Sequence, residues 1–174
     1  MRIAINGFGR VGRNIARALL GQRLQALAGL KLIAINDLAP ISHSAHLLKY
    51  DSVYGQFDKP VSTLSDQILV ADERIKYFSE ADPGKASWGK LNIDLVLECT
   101  GCFSSAEKSS SHLDAGAARV LISQPATGVD KTIVFGVNHE TLSDSDLIIS
   151  NASCTTNCLV PLAKVINDHF EIKE

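Results

Sequence analysis

The hexapeptide Gly7-Phe8-Gly9-Arg10-Val11-Gly12 has the pattern G-x-G-x-x-G, which is the strongest indication of the fold in this sequence. It follows a short apolar strand and opens a helical pattern over residues 10 to about 28, which is the context that the motif requires. Gly7 permits a tight turn, Gly9 lets a pyrophosphate approach the backbone, and Gly12 allows close packing of helix against strand. The helix N-terminus offers unpaired N–H groups to an anion. The hexapeptide therefore predicts a cradle for the phosphates of a dinucleotide.

A single acidic residue supplies the second half of this signature. Asp37 comes directly after the second apolar run, residues 30–36, which we predict to be a strand buried on both faces. A carboxylate at this position can accept hydrogen bonds from both hydroxyls of an adenosine ribose, and it repels a 2′-phosphate. Asp37 therefore favours NAD over NADP, although an aspartate that only caps the turn would look the same.

The rest of the chain alternates short apolar runs with amphipathic stretches, as βαβ units do. We therefore predict an α/β fold with a doubly wound, Rossmann-type, mostly parallel sheet. The predicted strands cover residues 3–5, 30–36, 67–70, 74–78, 94–99, 119–123, 132–135 and 147–149. The predicted helices after the first cover residues 45–48, 105–115 and 154–170, and residues 49–57 are expected to form a loop.

Composition narrows the class of protein. The 174 residues are 45% hydrophobic and 21% charged with a net charge of −2, which indicates a globular domain and argues against nucleic acid as a partner. The sequence contains no run of about 18 apolar residues, so it predicts no membrane span. Four cysteines without a secretion signal fit a reducing compartment, so we expect a cytoplasmic protein. Length alone predicts one complete domain.

The cysteines form two close pairs, Cys99 with Cys102 and Cys154 with Cys158. Such spacing occurs in zinc sites and in thioredoxin-like dithiols. We favour neither, and predict no metal, because Cys99 ends an apolar strand and free cysteine is among the most buried residue types. Cys99 and Cys102 are therefore expected to be small buried residues.

Cys154 lies in a different setting, within the polar segment Ser150-Asn151-Ala152-Ser153-Cys154-Thr155-Thr156-Asn157-Cys158. The segment separates an apolar strand from an apolar helix, so Cys154 is expected at the helix N-terminus, where the backbone dipole stabilises a thiolate. A nucleophilic and a structural cysteine remain open alternatives. The five histidines are expected to be surface or capping residues, with His112 on a surface helix, so a base for Cys154 is expected outside this chain.

The chain resembles the glyceraldehyde-3-phosphate dehydrogenase family. The resemblance rests on residues 6–13 and on the cysteine segment 150–158, and it is supported by residues 47–53, 98–101 and 136–139. The erythrose-4-phosphate dehydrogenases are similar and share the cysteine segment. Erythrose 4-phosphate is therefore the alternative substrate. A nucleotide-binding module without catalysis is the alternative of a different class.

The resemblance implies a mechanism in which the Cys154 thiolate attacks an aldehyde, a hydride passes to NAD, and inorganic phosphate releases an acyl phosphate. On this basis glyceraldehyde 3-phosphate would be oxidised to 1,3-bisphosphoglycerate in glycolysis, by a homotetramer. Ser153 and Thr155 would bind the attacking phosphate. The implied cofactor residues are Gly7, Phe8, Gly9, Arg10, Val11, Gly12, Asp37, Thr100, Gly101, Phe103 and Ser123.

Two departures from the family pattern accompany the resemblance. Ala81 stands where many members carry an arginine on the adenine side. The family's general-base histidine, substrate-phosphate arginine and nicotinamide-amide asparagine would all lie beyond residue 174. Residues 1–150 are therefore interpreted as an NAD-binding Rossmann domain and residues 151–174 as the first helix of a catalytic domain. On this interpretation, the 174 residues alone should bind NAD without turnover.

Overall fold

The computed structural model describes residues 1–21 and 29–173. The strands are β1 (Arg2–Asn6), β2 (Lys31–Asn36), β3 (Tyr50–Asp51), β4 (Gly55–Gln56), β5 (Val61–Leu64), β6 (Gln67–Val70), β7 (Glu73–Phe78), β8 (Leu95–Glu98), β9 (Arg119–Ile122), β10 (Lys131–Thr132) and β11 (Ile148–Ser150). The helices are α1 (Arg10–Gly21), α2 (Ile41–Lys49), α3 (Ala106–Asp114) and α4 (Cys154–Phe170). The predicted continuation of the first helix over residues 22–28 lies outside the described residues.

Nine of these strands form one sheet in the order β10-β11-β9-β8-β1-β2-β7-β6-β5. All neighbours from β10 to β7 are parallel, and only the β5-β6-β7 edge is antiparallel. The chain runs outward from β1 to β2 and β7 on one side, and then from β8 to β9 and β11 on the other. This reversal opens a crevice at the carboxyl ends of β1 and β8, and it confirms the doubly wound α/β prediction.

Local predictions are confirmed for most elements and wrong for a few. The strands β6 and β7 and the bounds of α4 agree with prediction, whereas α2 is longer than the helix expected at residues 45–48. The expected loop over residues 49–57 contains the short β3–β4 hairpin, and β5 was not predicted. The strand expected at residues 132–135 is only β10, because the Val137 N–H donates to the carbonyl of Val134 and turns the chain away from the sheet edge.

The core lies on both faces of the sheet. Along β1, Ile3 and Ile5 pack with α1 and α2 on one face, while Ala4 packs with Trp88 on the other. This alternation is the period-two pattern of a strand buried on both faces. The apolar residues of α4 are different: Leu159, Leu162, Val165, Ile166 and Phe170 are all exposed. None of the described helices is long and apolar enough to cross a membrane.

Candidate functional site

The three motif glycines occupy three different environments after β1. Gly7 has a φ of +89°, and a Cβ there would lie 2.6 Å from the Thr100 nitrogen. A Cβ on Gly12 would lie 2.2 Å from the Gly7 carbonyl oxygen and 3.0 Å from Cγ2 of Ile5, so only glycine lets α1 approach β1 this closely. A Cβ on Gly9 would meet nothing within 4 Å. The space in front of Gly9 is therefore open to a ligand at the start of α1.

A cleft of about 390 Å³ lies at this point, along the carboxyl ends of β1, β2 and β8. It brings together five of the predicted cofactor residues: Gly7, Gly9, Asp37, Thr100 and Phe103. The remaining lining residues are Asn6, Asn36, Leu38, Glu80, Ala81, Cys99 and Cys102. The site therefore contains two strand-end asparagines that were not among the predicted site residues, although their position at the end of each strand was a usable signal.

Other predicted cofactor residues do not line the cleft. Phe8 is only 3% exposed and its side chain packs into the core, so its place along a pyrophosphate stays a prediction for the backbone of this residue. The cause is the turn at Gly7, after which residue 8 points inward and offers a ligand no more than its backbone. Arg10 and Val11 are exposed on α1, and Arg10 borders a second cleft of about 380 Å³ beside β3 and β4.

Asp37 orients the glycine-rich turn. Its Oδ2 accepts a hydrogen bond from the Phe8 N–H at 2.6 Å, and its Oδ1 accepts one from the Ala39 N–H at 2.9 Å. A carboxylate has about four acceptor positions, so each oxygen retains a lone pair for further donors. The half-buried carboxylate is thus fixed at the rim of the cleft and can still accept hydrogen bonds from the hydroxyls of a sugar.

The loop after β8 forms the opposite wall. Thr100 donates to Glu98 through both its backbone N–H and its hydroxyl, and its hydroxyl oxygen accepts from the Cys102 N–H. Gly101 is exposed, and its carbonyl oxygen accepts a hydrogen bond from Gln124 Nε2. Ser123 lies outside the cleft lining and hydrogen-bonds to the thiol of Cys99. These contacts give the wall a fixed shape before any ligand binds.

The two cysteines of this wall differ. Burial raises the pKa of Cys99 to about 12, against a smaller opposing effect of the Ser123 hydrogen bond, so its thiol stays protonated. Cys102 is exposed and lines the cleft, so the expectation that it is buried is wrong. All four cysteines are free thiols. Among residues 1–21 and 29–173, no three histidine, cysteine or acidic residues come together as metal ligands.

Cys154 is the first residue of α4, and its thiol is exposed. Ser153 caps the helix: its hydroxyl accepts a hydrogen bond from the Thr156 N–H at 3.0 Å and lies 2.9 Å from the Thr155 hydroxyl. The N–H groups of a first helical turn have no intrahelical acceptor, so they can stabilise a thiolate or bind an anion. The structure thus places Cys154, Ser153 and Thr155 together on one helix N-terminus.

The turn before Cys154 is held in an unusual backbone conformation. Ala152 has a φ of +57°, which costs energy for a residue with a Cβ, and its N–H donates to the Ser150 hydroxyl at 3.1 Å. Asn157 closes the turn by donating from Nδ2 to the carbonyl oxygens of Asn151 and Ser153. Asn157 was not predicted to have this role, although an amide one helical turn after the cap was an available signal.

Cys154 and the cleft lie at the same edge of the sheet. The strands β11, β9, β8 and β1 are consecutive and parallel, so the segments that follow them emerge from one edge. Three strand spacings of about 4.8 Å put the end of β11 about 14 Å from the glycine-rich turn after β1. The segment that leads to Cys154 and the glycine-rich turn therefore start from the same edge of the sheet, three strands apart.

The histidines have structural roles of their own. His112 is fully buried, not on the surface as expected, because it hydrogen-bonds to Trp88 and Glu98 in the interior. His139 accepts a hydrogen bond from the Gly136 N–H, and His169 lies against the carbonyl oxygen of Val165. No histidine in the described part of the chain hydrogen-bonds to Cys154.

Comparison with known proteins identifies the family of this chain by its sequence. The family model for the NAD-binding domain of glyceraldehyde 3-phosphate dehydrogenase matches residues 1–106, and the model for the C-terminal domain of that enzyme matches residues 153–174. The glyceraldehyde-3-phosphate dehydrogenase of Xanthobacter flavus is 47% identical over 174 residues, which are 100% of this chain and 51% of that protein. The one from Clostridium acetobutylicum is 50% identical over 173 residues, 99% of this chain and 50% of that protein.

The chain spans about half the length of the curated relatives that it matches. The match to the first family model covers more than half of the chain and extends through the glycine-rich turn, Asp37 and Thr100. NAD is the cofactor of that domain. The chain belongs to the glyceraldehyde-3-phosphate dehydrogenase family.

Proposed function

We propose that this chain carries the NAD site and the nucleophile of a phosphorylating glyceraldehyde-3-phosphate dehydrogenase. The observation that carries the proposal is the position of Cys154, exposed at the N-terminus of α4 on the sheet edge that also holds the cleft. On this proposal residues 1–150 form the NAD-binding domain and residues 151–174 begin the catalytic domain. The substrate is glyceraldehyde 3-phosphate and the product is 1,3-bisphosphoglycerate.

The cleft supports NAD binding through groups of known geometry. The open space at Gly9 leaves room for a pyrophosphate against the first N–H groups of α1. The free lone pairs of Asp37 suit the two hydroxyls of an adenosine ribose, and its charge disfavours a 2′-phosphate. Thr100 and Phe103 form the far wall, with Gly101 and Ser123 as proposed contacts beyond it. The adenine side has Ala81 in place of an arginine.

The chemistry proposed for Cys154 is covalent. Its thiolate, stabilised by the first turn of α4, adds to the aldehyde carbon and forms a hemithioacetal. Bound NAD supplies the hydride acceptor that converts this adduct to a thioester. Inorganic phosphate, held by the hydroxyls of Ser153 and Thr155, then attacks the thioester carbon, and the thiolate of Cys154 leaves as the acyl phosphate forms. The hydroxyl proton of the hemithioacetal needs a base, which the described histidines do not provide.

A thermal unfolding experiment tests the NAD site without requiring turnover. A ligand that binds only the native state at 100 times its Kd adds about 2.7 kcal/mol of stability. For a chain of this length that corresponds to an increase of roughly 8 °C in the unfolding midpoint. NADP at the same concentration should raise the midpoint less, because Asp37 repels its 2′-phosphate. An unchanged midpoint in millimolar NAD would contradict the proposed function.

Assembly and location are further parts of the proposal. We propose that the full-length enzyme is a homotetramer in the cytoplasm; the exposed apolar residues Leu159, Leu162 and Ile166 of α4 support packing against further protein, and the four free thiols support a reducing compartment. Sedimentation analysis together with fractionation of the producing cells tests both statements. A secreted protein, or a monomer at high concentration, would refute the corresponding statement.

A further inference from the structure

A buried hydrogen-bond network lies directly beneath the cleft and takes no part in the proposed chemistry. Its centre is Glu98, at the end of β8 and only 1% exposed. One carboxylate oxygen, Oε2, accepts from Asn6 Nδ2 at 2.6 Å and faces His112 Nε2 at 3.0 Å. The other, Oε1, accepts from the backbone N–H and the hydroxyl of Thr100. Four donors therefore converge on this one carboxylate.

The tautomer of His112 follows from its other neighbour. Trp88 Nε1 lies 3.1 Å from His112 Nδ1, and an indole N–H can only donate. Nδ1 is therefore the unprotonated nitrogen, and Nε2 carries the proton that it donates to Glu98. Each carboxylate oxygen of Glu98 therefore faces two donors, so the group is fully hydrogen-bonded although it is almost completely buried.

The network reaches both walls of the cleft. On one side Glu98 holds Thr100, whose backbone also abuts Gly7. On the other side Asn6 Oδ1 accepts from Asn36 Nδ2 at 2.7 Å. Asn36 then makes two hydrogen bonds to the backbone of Glu80, each 2.8 Å long. Its Nδ2 donates to the Glu80 carbonyl oxygen, and its Oδ1 accepts from the Glu80 N–H. Thr100 and Glu80 line opposite walls, whereas Glu98 and His112 do not line the cleft.

We propose that Glu98 and His112 are positioning residues for the cofactor. They fix the separation of the two cleft walls by connecting the ends of β1, β2 and β8 to α3 beneath the ligand. Neither residue contacts the dinucleotide; they preorganise the residues that do, which lowers the cost of ordering the site on binding. This inference rests on the proposed NAD site.

The first test replaces Glu98 by glutamine and compares it with Ile68→Ala. In Glu98→Gln, an NH₂ group replaces one carboxylate oxygen, so the donors that faced this oxygen lose their acceptor. The cleft walls therefore shift, and NAD affinity falls about tenfold or more. Ile68 is fully buried on β6, away from the cleft, so Ile68→Ala lowers the thermal midpoint through a cavity but leaves NAD affinity within about twofold. Calorimetric titration is done well below both midpoints. Equal NAD affinities for the two variants would overturn the proposal.

A matched pair at His112 separates the hydrogen bond from the packing. His112→Gln keeps an N–H donor near Glu98, whereas His112→Met fills a similar volume without one. The NAD affinity of the glutamine variant should exceed that of the methionine variant by a factor of about three or more, because Glu98 keeps more of its donors. Identical affinities for the pair would show that only packing matters, and would also overturn the proposal.

A spectroscopic measurement needs no variant and no NAD. In ¹⁵N spectra of the unchanged chain, His112 should show a protonated Nε2 and an unprotonated Nδ1. An imidazolium, or the opposite tautomer, would overturn the network. If the unchanged chain binds no NAD, the proposed function fails. If it binds NAD and the Glu98 and His112 variants bind it equally well, only the positioning role fails.

Discussion

Two alanine substitutions in the same hexapeptide should affect different properties. Gly12→Ala should lower the stability of the fold, and Gly9→Ala should lower the affinity for NAD. In Gly12→Ala, the new Cβ meets backbone, with the Gly7 carbonyl oxygen 2.2 Å away, so α1 must move from β1. Alanine normally favours a helix over glycine by about 1 kcal/mol. Overpacking against a rigid neighbour costs about 1–3 kcal/mol or more, and the shift of α1 places this site at the upper end, so the net loss is about 2 kcal/mol.

Gly9→Ala places its Cβ in open space, where no atom lies within 4 Å. Gly9 precedes the first residue of α1, and alanine is a poorer residue than glycine there by up to about 1 kcal/mol, so the loss of stability should be at most about half of that in Gly12→Ala. The methyl group instead occupies the space proposed for a pyrophosphate. Losing one charge-assisted hydrogen bond to the backbone costs about 1.5–3 kcal/mol, which corresponds to a decrease in NAD affinity of about 10- to 100-fold.

Thermal unfolding and NAD titration of both variants distinguish the two effects. The midpoint of Gly12→Ala should fall by roughly 4–8 °C, while that of Gly9→Ala should stay within about 3 °C of the unchanged chain. NAD affinity should fall clearly in Gly9→Ala. A Gly12→Ala chain as stable as the original would contradict the close packing of α1 against β1, and a Gly9→Ala chain that binds NAD normally would contradict the pyrophosphate position.

Three further substitutions or reactions probe the remaining site residues. Asp37→Asn should weaken NAD binding about tenfold, because a neutral amide binds ribose hydroxyls less well. It should also narrow the preference for NAD over NADP, because the amide repels no phosphate. An unchanged NAD-to-NADP affinity ratio in calorimetry argues against this role of Asp37. Iodoacetamide at pH 8 should alkylate Cys154 far faster than Cys99, whose pKa of about 12 leaves about one thiol in ten thousand ionised, and equal labelling in peptide maps contradicts it. Ser153→Ala removes the hydrogen bond from the Thr156 N–H and should lower stability by about 1 kcal/mol, so an unchanged urea midpoint counts against the cap.

Sequence patterns were sufficient where the determining interactions are local. The bounds of α4 could be predicted because its cap, Ser153, and its first helical residue, Cys154, are adjacent in the chain. The glycine-rich turn could be predicted for the same reason, and the environments of Gly9 and Gly12 follow from the strand and helix that flank them. The edge strand β5 was missed because its polar residues lack a buried face to impose alternation.

Patterns failed where a residue's environment depends on partners distant in the sequence. His112 lies on a helix of polar residues, which indicates exposure, yet Glu98 and Trp88 remove it from solvent. Phe8 lies in a motif that binds phosphate, but the left-handed backbone of Gly7 turns its ring into the core. A single sequence shows whether a residue is polar or apolar. It does not show which distant residues its side chain will contact in the folded chain.

The two halves of the proposed chemistry differ in structural support. On the cofactor side, Glu98 connects the strand ends through buried, fully paired hydrogen bonds, so the cleft is shaped before NAD arrives. On the cysteine side, α4 has no buried residue, and the hydrogen bonds of Asn157 to Asn151 and Ser153 fix only its first turn. A preorganised cleft favours NAD binding by the 174 residues themselves, whereas the thiol of Cys154 has its helix N-terminus but no proton acceptor among the described residues. NAD affinity should therefore depend on Glu98 and Gly9, and thiol reactivity on the first turn of α4.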